Sequence, residues 1–222
     1  MIFLDLRTAR YLGVGTLERR VLARIVRDWP LATSEDRDAS LSDQQISEIA
    51  NQLADSEIIS TRAPITRDSS PVIVEPRCDL VAVDQVAPGA DAPSAKTVAA
   101  FLSACVSAAI DLKFSHFAAI VSKVRARKRS AARPLMSFDV AKAAEVASVF
   151  RRLRPYTFTG RNRCLFHGLA LVNFMASNDL YPTWMLGVAL NPWRAHSWVQ
   201  QDNFIFDSTP EQVFDFRPIL CV

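Results

Sequence analysis

Hydrophobic and polar positions partly alternate at the start of the chain, which is the spacing of a β-strand. Two apolar runs, 2–6 and 11–14, flank the polar segment 7–10, and this order predicts a β-hairpin. After the second run, apolar residues recur every three or four positions from Thr16 to Pro30. This spacing predicts an amphipathic helix that Thr16 caps and Pro30 ends, because proline cannot continue a helix.

A second helix is predicted after a polar segment at 33–40. Ser42 and Gln45 have the spacing of a capping box, in which each side chain bonds the backbone amide of the other residue. Ile46 and Ile49 then begin an apolar face with helical spacing. The hairpin and the two helices together predict a small module in the first part of the chain.

A region rich in proline separates this module from a longer group of predicted elements. We place a linker at 81–95, a first domain at 1–80 and a larger domain at 96–222. In the larger domain the patterns predict helices over 96–124, over 139–153 and from Asn162, and strands over 184–189, 196–200 and 204–206 with a turn at Asp202-Asn203. Helices followed by an antiparallel sheet make an α+β fold.

Basic residues are concentrated in one segment, 123–133, where six of eleven residues are Lys or Arg. The favoured interpretation is a solvated loop between helices, and the alternative is a docking surface for an acidic peptide or a nucleotide phosphate. The whole chain carries a formal charge of only +3, with 22% charged residues. This balance requires neither a nucleic-acid partner nor a membrane partner.

The sequence indicates a cytoplasmic protein. Asp5 interrupts the apolar start of the chain, so we expect no export signal. The longest uncharged stretches, 97–110 and 164–178, are shorter than the roughly 20 apolar residues that span a bilayer, so no membrane span is expected. The four cysteines have no paired spacing, which in a reducing compartment predicts free thiols.

Cys164 is the candidate nucleophile. It opens an apolar run with helical spacing that is predicted to begin near Asn162, which places the sulfur in the first helical turn. Unpaired amide N–H groups and the helix dipole stabilise a thiolate there, and Arg161 and Arg163 add positive charge. The alternative is a buried structural cysteine, which is common for this residue type.

His196 and Asp207 can complete a catalytic site around Cys164. His196 lies on one predicted strand and Asp207 on or just past the next, so a base and a carboxylate that orients it are both present. The sequence therefore predicts a Cys-His-Asp site. Cys164 and His167 also have the spacing of half a zinc site, but the chain has only three histidines, and we expect no metal.

These motifs resemble a known family. Arg163-Cys164-Leu165, Gly187-Val188 and Ala195-His196-Ser197-Trp198-Val199 are similar to the transglutaminase-like domain of the lasso-peptide maturation B proteins. The first module, including Arg10-Tyr11-Leu12, resembles the precursor-recognition element that is similar to the PQQ-biosynthesis D protein. A fused B protein is implied, with a small winged-helix-like recognition domain followed by a papain/transglutaminase-like domain in which helices pack on an antiparallel sheet.

The resemblance implies a cysteine peptidase that removes the leader from a ribosomal precursor peptide. Cys164 would attack the leader-core peptide bond, His196 would move the proton and Asp207 would orient His196. A separate ATP-dependent macrolactam cyclase, similar to asparagine synthetase, would then close the ring. The family implies dependence on ATP, although this chain has no Gly-rich phosphate loop.

The resemblance also implies that the leader adds as a strand beside the hairpin, which is β-augmentation. Tyr11 and Leu12 on the strand, with Ile46 and Ile49 on the following helix, are the candidate leader-binding residues, and core packing is their alternative role.

One departure from the family pattern leaves other functions open. In the family pattern the aspartate falls one residue later, where this chain has Ser208. A scaffold that binds the leader without efficient catalysis is therefore one alternative. An acyltransferase or transglutaminase, which would pass the acyl group to an amine, is the other.

Overall fold

The computed structural model describes seven parts of the chain: 2–5, 10–26, 41–55, 81–82, 92–131, 138–157 and 163–222. The chain divides into two compact units. The first unit is formed by Met1–Asp5 and Ala9–Pro71, and the second by Leu6–Thr8 and Val72–Val222.

The described part of the first unit contains the predicted hairpin and both predicted helices. Strands β1 (Ile2–Asp5) and β2 (Arg10–Gly13) pair antiparallel, followed by helices α1 (Thr16–Ile25) and α2 (Asp43–Asp55). Gly15, rather than Thr16, is the residue that caps α1. The predicted end of α1 at Pro30 lies outside the described residues.

The capping box of α2 is confirmed. The Ser42 amide donates to Gln45 Oε1 over 3.1 Å, and the Gln45 amide donates to Ser42 Oγ over 3.3 Å. The helix then turns Ile49 and Leu53 into a small apolar core, which also contains Val14, Val21 and Leu22. A hairpin and two helices around one core agree with the predicted elements, and the winged-helix arrangement stays a prediction.

The second unit begins its described part with helices, as predicted. They are α3 (Ala95–Phe114), α4 (Phe117–Ala131), α5 (Val140–Leu153) and α6 (Cys164–Ala176), with a 3-10 turn at Arg154–Tyr156 and a short later helix, α7 (Pro210–Val213). Ser94 caps α3 and Asp139 caps α5, because each side chain accepts a first-turn amide hydrogen bond.

The basic segment is not a loop where the structure describes it. Its residues up to Ala131 belong to α4, so the loop interpretation is wrong for them, and 132–133 lie outside the described residues. Arg127 donates to Asn173 on α6 over 2.6 Å, and Lys128 donates to Thr183 at the start of the sheet over 2.9 Å. Part of the basic run therefore connects α4 to its neighbours.

Five strands form the sheet of the second unit. They are β3 (Val81–Ala82), β4 (Thr183–Leu190), β5 (Trp193–Gln201), β6 (Phe204–Ile205) and β7 (Arg217–Cys221), in the order β3-β6-β5-β4-β7. Every pair is antiparallel except β3 with β6. The predicted turn at Asp202-Asn203 joins β5 to β6, and Asp202 has a positive φ of 51°, which aspartate tolerates better than most residues. The short β3 and the edge strand β7 were not predicted.

Aromatic rings hold the helices around α6. Phe101 on α3, Phe150 on α5 and Phe174 on α6 contact one another with ring centroids 5.3–6.0 Å apart. All three side chains are fully buried. Every residue of α6 from Phe166 to Met175 is also buried, as expected for a helix that is apolar on all sides.

Helix α3 alone among the described helices is long and apolar enough to cross a membrane. It is longer than the uncharged stretch seen in the sequence because it extends from Ala95 to Phe114. Its Asp111 is nevertheless held by Lys123 of α4, with Nζ 2.7 and 2.9 Å from the two carboxylate oxygens. Core helices pass the same length and composition test, so this helix is weak evidence for a span.

Helix α6 meets the sheet at Gly168. A Cβ at this position would lie 2.8 Å from Ser197 Oγ on β5 and 2.8 Å from Trp184 Nε1 on β4. Trp184 is completely buried and donates its indole N–H to Ser197 Oγ over 2.7 Å. The absence of a side chain at Gly168 therefore permits the helix to approach the hydrogen bond that joins the two strands.

We expect Gly168→Ala to lower the free energy of unfolding by about 2 kcal/mol. The added methyl group must displace Trp184 or Ser197, and this cost exceeds the gain of about 1 kcal/mol in helix propensity. Urea unfolding followed by tryptophan fluorescence measures the change. Gly13→Ala is the control, because its added Cβ meets no atom within 4 Å. Equal stability of Gly168→Ala and the wild type would contradict this packing argument.

Candidate active site

An open cleft of about 540 Å³ lies in the second unit and contains the three predicted catalytic residues. Its walls come from the start of α6, from β5 and from the segment that follows β6. The lining residues are Arg154, Cys164, His167, Arg194, His196, Ser197, Asp207, Ser208, Glu211, Gln212, Asp215 and Phe216.

Cys164 is the first residue of α6 and is half-buried. The helix was predicted to begin two residues earlier, a difference within the usual uncertainty of helix ends. The thiol is free, as are those of Cys105 and Cys221, and Cys78 lies outside the described residues. A first-turn position places the residue next to backbone N–H groups that have no partner within the helix, and these groups stabilise negative charge.

His196 lies on β5, opposite Gly187 of β4. Its ring is stacked with Trp198, with centroids 6.0 Å apart and planes at 16°, and it also contacts Phe216 at 5.3 Å. Burial lowers the pKa of the His196 imidazole below its ordinary value of 6.5. The ring therefore favours the neutral form, which is the form that accepts a proton.

Ser208 is the hydrogen-bonding partner of the His196 ring. The distance between His196 Nε2 and Ser208 Oγ is 3.2 Å. Since this contact occupies Nε2, the other ring nitrogen, Nδ1, is left to exchange a proton with a thiol. The described part of the chain shows no hydrogen bond from His196 to Cys164 or to Asp207, although catalytic hydrogen bonds often tighten only when substrate binds.

Asp207 lies just past β6 and binds the neighbouring strand. Its Oδ1 accepts the backbone N–H of Val199 over 2.8 Å. Burial raises the pKa of the carboxyl from 3.8 to about 7, while the hydrogen bonds from the Val199 and Asp207 amides and the charges of Arg154 and Arg151 act against this rise. Asp207 thus lines the cleft as expected, and its role in orienting His196 stays a prediction.

Gly187 makes room for the ring that supports His196. A Cβ on Gly187 would lie 2.8 Å from two ring atoms of Trp198 and 3.0 Å from the carbonyl oxygen of Arg217. The pairing of β4 with β7 also shifts register next to this glycine. In the sequence, Gly187 was singled out only by resemblance, and the structure supplies the physical reason for a glycine there.

His167 lines the cleft one turn along α6 from the nucleophile. Burial, together with the nearby positive charges of Arg154 and Arg163, lowers the pKa of its imidazole from 6.5 to about 4. The ring is therefore neutral at physiological pH. No group of three His, Cys, Asp or Glu side chains suited to a metal ion occurs within the described residues.

Sequence reasoning missed several residues of the cleft. Arg194 forms an ion pair with Asp215 over 3.0 Å and lies over the ring of Phe216. Alternation along β5 could have found Arg194, because residues two apart on a strand share a face with His196. Arg154 follows α5 directly and had no such pattern to mark it.

The predicted leader-binding residues belong to the first unit. Tyr11 is 36% exposed on β2 and Leu12 beside it is half-buried. On α2, Ile46 packs against the core and Ile49 is 8% exposed within it. Tyr11 is thus the most accessible of the four, and the burial of Ile49 agrees with the core role that was its alternative.

Comparison with known protein families found a match for the second unit. A family model described as the transglutaminase-like superfamily matches residues 102–221, which is more than half of the chain. No curated protein and no solved structure matched. The matched range contains every residue that lines the cleft.

We expect Asp207→Asn to stabilise the protein increasingly as the pH rises from 4 to 8. A carboxyl whose pKa is raised by folding contributes stability below pH 3.8 and loses it as the pH passes through about 7, where the buried group must ionise. The asparagine keeps an oxygen for the Val199 amide and never ionises. We expect a gain of roughly 2 kcal/mol at pH 8, about half of what the full pKa difference gives, because Asp207 keeps part of its surface accessible to solvent and this weakens the effect of burial.

Urea unfolding of both proteins across this pH range tests the expectation. The acid titration of His167 and His196 is common to both proteins and cancels in the difference. A stability difference that does not change with pH would show that the Asp207 carboxyl titrates as an ordinary one.

Proposed function

The chain belongs to the transglutaminase-like superfamily, and we propose that it is a cysteine peptidase that cuts a ribosomal precursor peptide between leader and core. The superfamily supports cysteine-based acyl transfer of the peptidase or transglutaminase type. Cys164 and His196 line the same cleft, and Cys164 lies at the start of a buried helix. This observation supports assigning the proposed chemistry to these two residues.

In the proposed reaction, His196 Nδ1 takes the thiol proton of Cys164, and the sulfur adds to the carbonyl carbon of the leader-core bond. The backbone N–H of Cys164 is a candidate donor to the resulting oxyanion. When the carbon–nitrogen bond breaks, His196 returns the proton to the leaving amine and a thioester remains. Water, deprotonated by His196, then hydrolyses the thioester and restores the thiol.

The same thioester could pass its acyl group to an amine instead of water. The superfamily description favours this as the second candidate, since transglutaminases use an amine as acceptor. The two candidates differ only in the acceptor, so a reaction that contains both water and a primary amine distinguishes them by product mass.

We also propose that the chain acts in lasso-peptide maturation as a fused B protein. Its support is the resemblance of Arg163-Cys164-Leu165 and of the segment around His196 to the B proteins, together with the hairpin-and-helix first unit. The partners in this proposal are the precursor peptide and an ATP-dependent macrolactam cyclase similar to asparagine synthetase, and ATP dependence belongs to the proposal.

Leader binding is proposed for the first unit by β-augmentation. The described sheet of this unit has two strands, so its edges offer backbone N–H and C=O groups to an added strand. Tyr11 presents an exposed aromatic side chain on β2, and aromatic residues often contribute strongly to binding.

We expect Cys164→Ala to abolish cleavage while leaving leader binding unchanged, because the variant lacks the attacking sulfur but keeps the first unit. Mass spectrometry of the precursor, incubated with each protein with and without ATP and the cyclase, measures cleavage. Cys221→Ala is the matched control, since Cys221 is half-buried on β7 and does not line the cleft. Cleavage by Cys164→Ala at the wild-type rate would exclude a covalent mechanism at this residue.

We expect Tyr11→Ala to weaken leader binding about tenfold, as truncation of an aromatic contact residue commonly does. Fluorescence polarisation of a labelled leader peptide measures the affinity, and iodoacetamide labelling of Cys164 should proceed as in the wild type. Leu17→Ala, which shortens an exposed apolar side chain on α1, is the control. If both variants bind the leader with wild-type affinity, Tyr11 is not part of the binding surface.

A further inference from the structure

We propose that Ser208, rather than Asp207, is the residue that positions the His196 ring, through the hydrogen bond between its hydroxyl group and Nε2. This inference rests on the proposed function, because it concerns the base of that reaction. The sequence predicted that the Asp207 carboxylate orients His196, whereas here the neutral hydroxyl group of Ser208 has this role.

The first support is the geometry around the ring. Trp198 and Phe216 contact His196 with centroids 6.0 and 5.3 Å away, and the stacked Trp198 lies nearly parallel to the imidazole. Contacts of this kind restrict the tilt of a ring but do not select between the two orientations that a half-turn about the Cβ–Cγ bond exchanges. A hydrogen bond at Nε2 selects one of them, and Ser208 forms it.

The second support is that hydrogen bonds fix the chain before and after Ser208. On one side, Phe206 donates its backbone N–H to Val199 of β5 over 3.0 Å. On the other side, Thr209 and Gln212 form the capping box of α7, with the Thr209 amide 3.1 Å from Gln212 Oε1. The Ser208 hydroxyl is therefore held at a defined distance from the strand that carries His196.

The third support is the different partner of Asp207. Its Oδ1 accepts from the Val199 backbone, so this carboxylate attaches the segment after β6 to β5. With a pKa raised to about 7, the carboxyl is only partly charged near neutral pH, which makes it a weak counter-ion for an imidazolium. Asp207 and Ser208 thus have different roles. Asp207 attaches the segment after β6 to β5, and Ser208 contacts the His196 ring.

A hydroxyl in this role has a chemical consequence. It accepts a hydrogen bond from Nε2–H as a carboxylate does, but it adds no negative charge to stabilise the protonated ring. The site should therefore lose only part of its rate when the hydroxyl is removed. It should also become more active when a carboxylate is placed at position 208.

Three variants of Ser208 test the inference in the full-length protein. We expect Ser208→Ala to lower kcat for precursor cleavage about tenfold at unchanged KM, and Ser208→Thr to recover most of this loss. We expect Ser208→Asp to raise kcat several-fold and to move the acidic limb of the pH profile upward by about one unit, because a charge-assisted hydrogen bond favours the imidazolium and so raises the pKa of the base. Ser177→Ala is the control, since it removes a hydroxyl bond to Phe174 outside the cleft.

The rate of Cys164 alkylation by iodoacetamide, measured against pH by mass spectrometry, separates this inference from the proposed function. If no precursor is cut but the alkylation profile changes across the three variants as expected, the positioning role stands and the proposed substrate is wrong. Wild-type rates and profiles in both Ser208→Ala and Ser208→Asp would overturn the inference. If Ser208→Ala does not fold, Ser208→Asp decides alone, and an unchanged profile overturns the inference.

Discussion

The close approach of α6 to the sheet at Gly168 is the constraint on which the proposed active site depends. Cys164 starts that helix and Ser197 follows His196 on β5, so the packing of Gly168 against Ser197 and Trp184 sets the distance between the two catalytic elements. The buried Phe101–Phe150–Phe174 cluster holds the other side of the helix. A rigid core of this kind can hold two side chains from distant parts of the chain within one cleft.

Burial of the titratable side chains determines the charge state of the cleft. Burial keeps the rings of His167 and His196 neutral and keeps the Asp207 carboxyl partly protonated near pH 7. A neutral imidazole is ready to accept a thiol proton, whereas a partly protonated aspartate is a poor partner for the imidazolium that results. The contact of His196 with Ser208 is consistent with this balance, because a hydroxyl orients the ring without a second charge to bury.

The two units have different parts in the proposed function, and the family match lies in the second unit. The superfamily match covers the second unit from α3 to β7 and supports cysteine-based chemistry there. The first unit contributes a two-stranded sheet with Tyr11 on one strand and a compact core that includes Ile49. The binding of a peptide as an added strand at its edge is part of the proposal.

The sequence by itself determined most of the helices and strands and indicated Cys164 as the candidate nucleophile, because these inferences depend on local patterns. Helical spacing and the Ser42 capping box are short-range features, and each appears in the structure. The chain could not reveal the edge strand β7 or the helical course of the basic segment, since both depend on packing against distant residues. Tertiary structure alone decided that Asp207 binds Val199 while Ser208 meets His196, because the path of the bent segment after β6 determines which of the two neighbouring side chains reaches the ring.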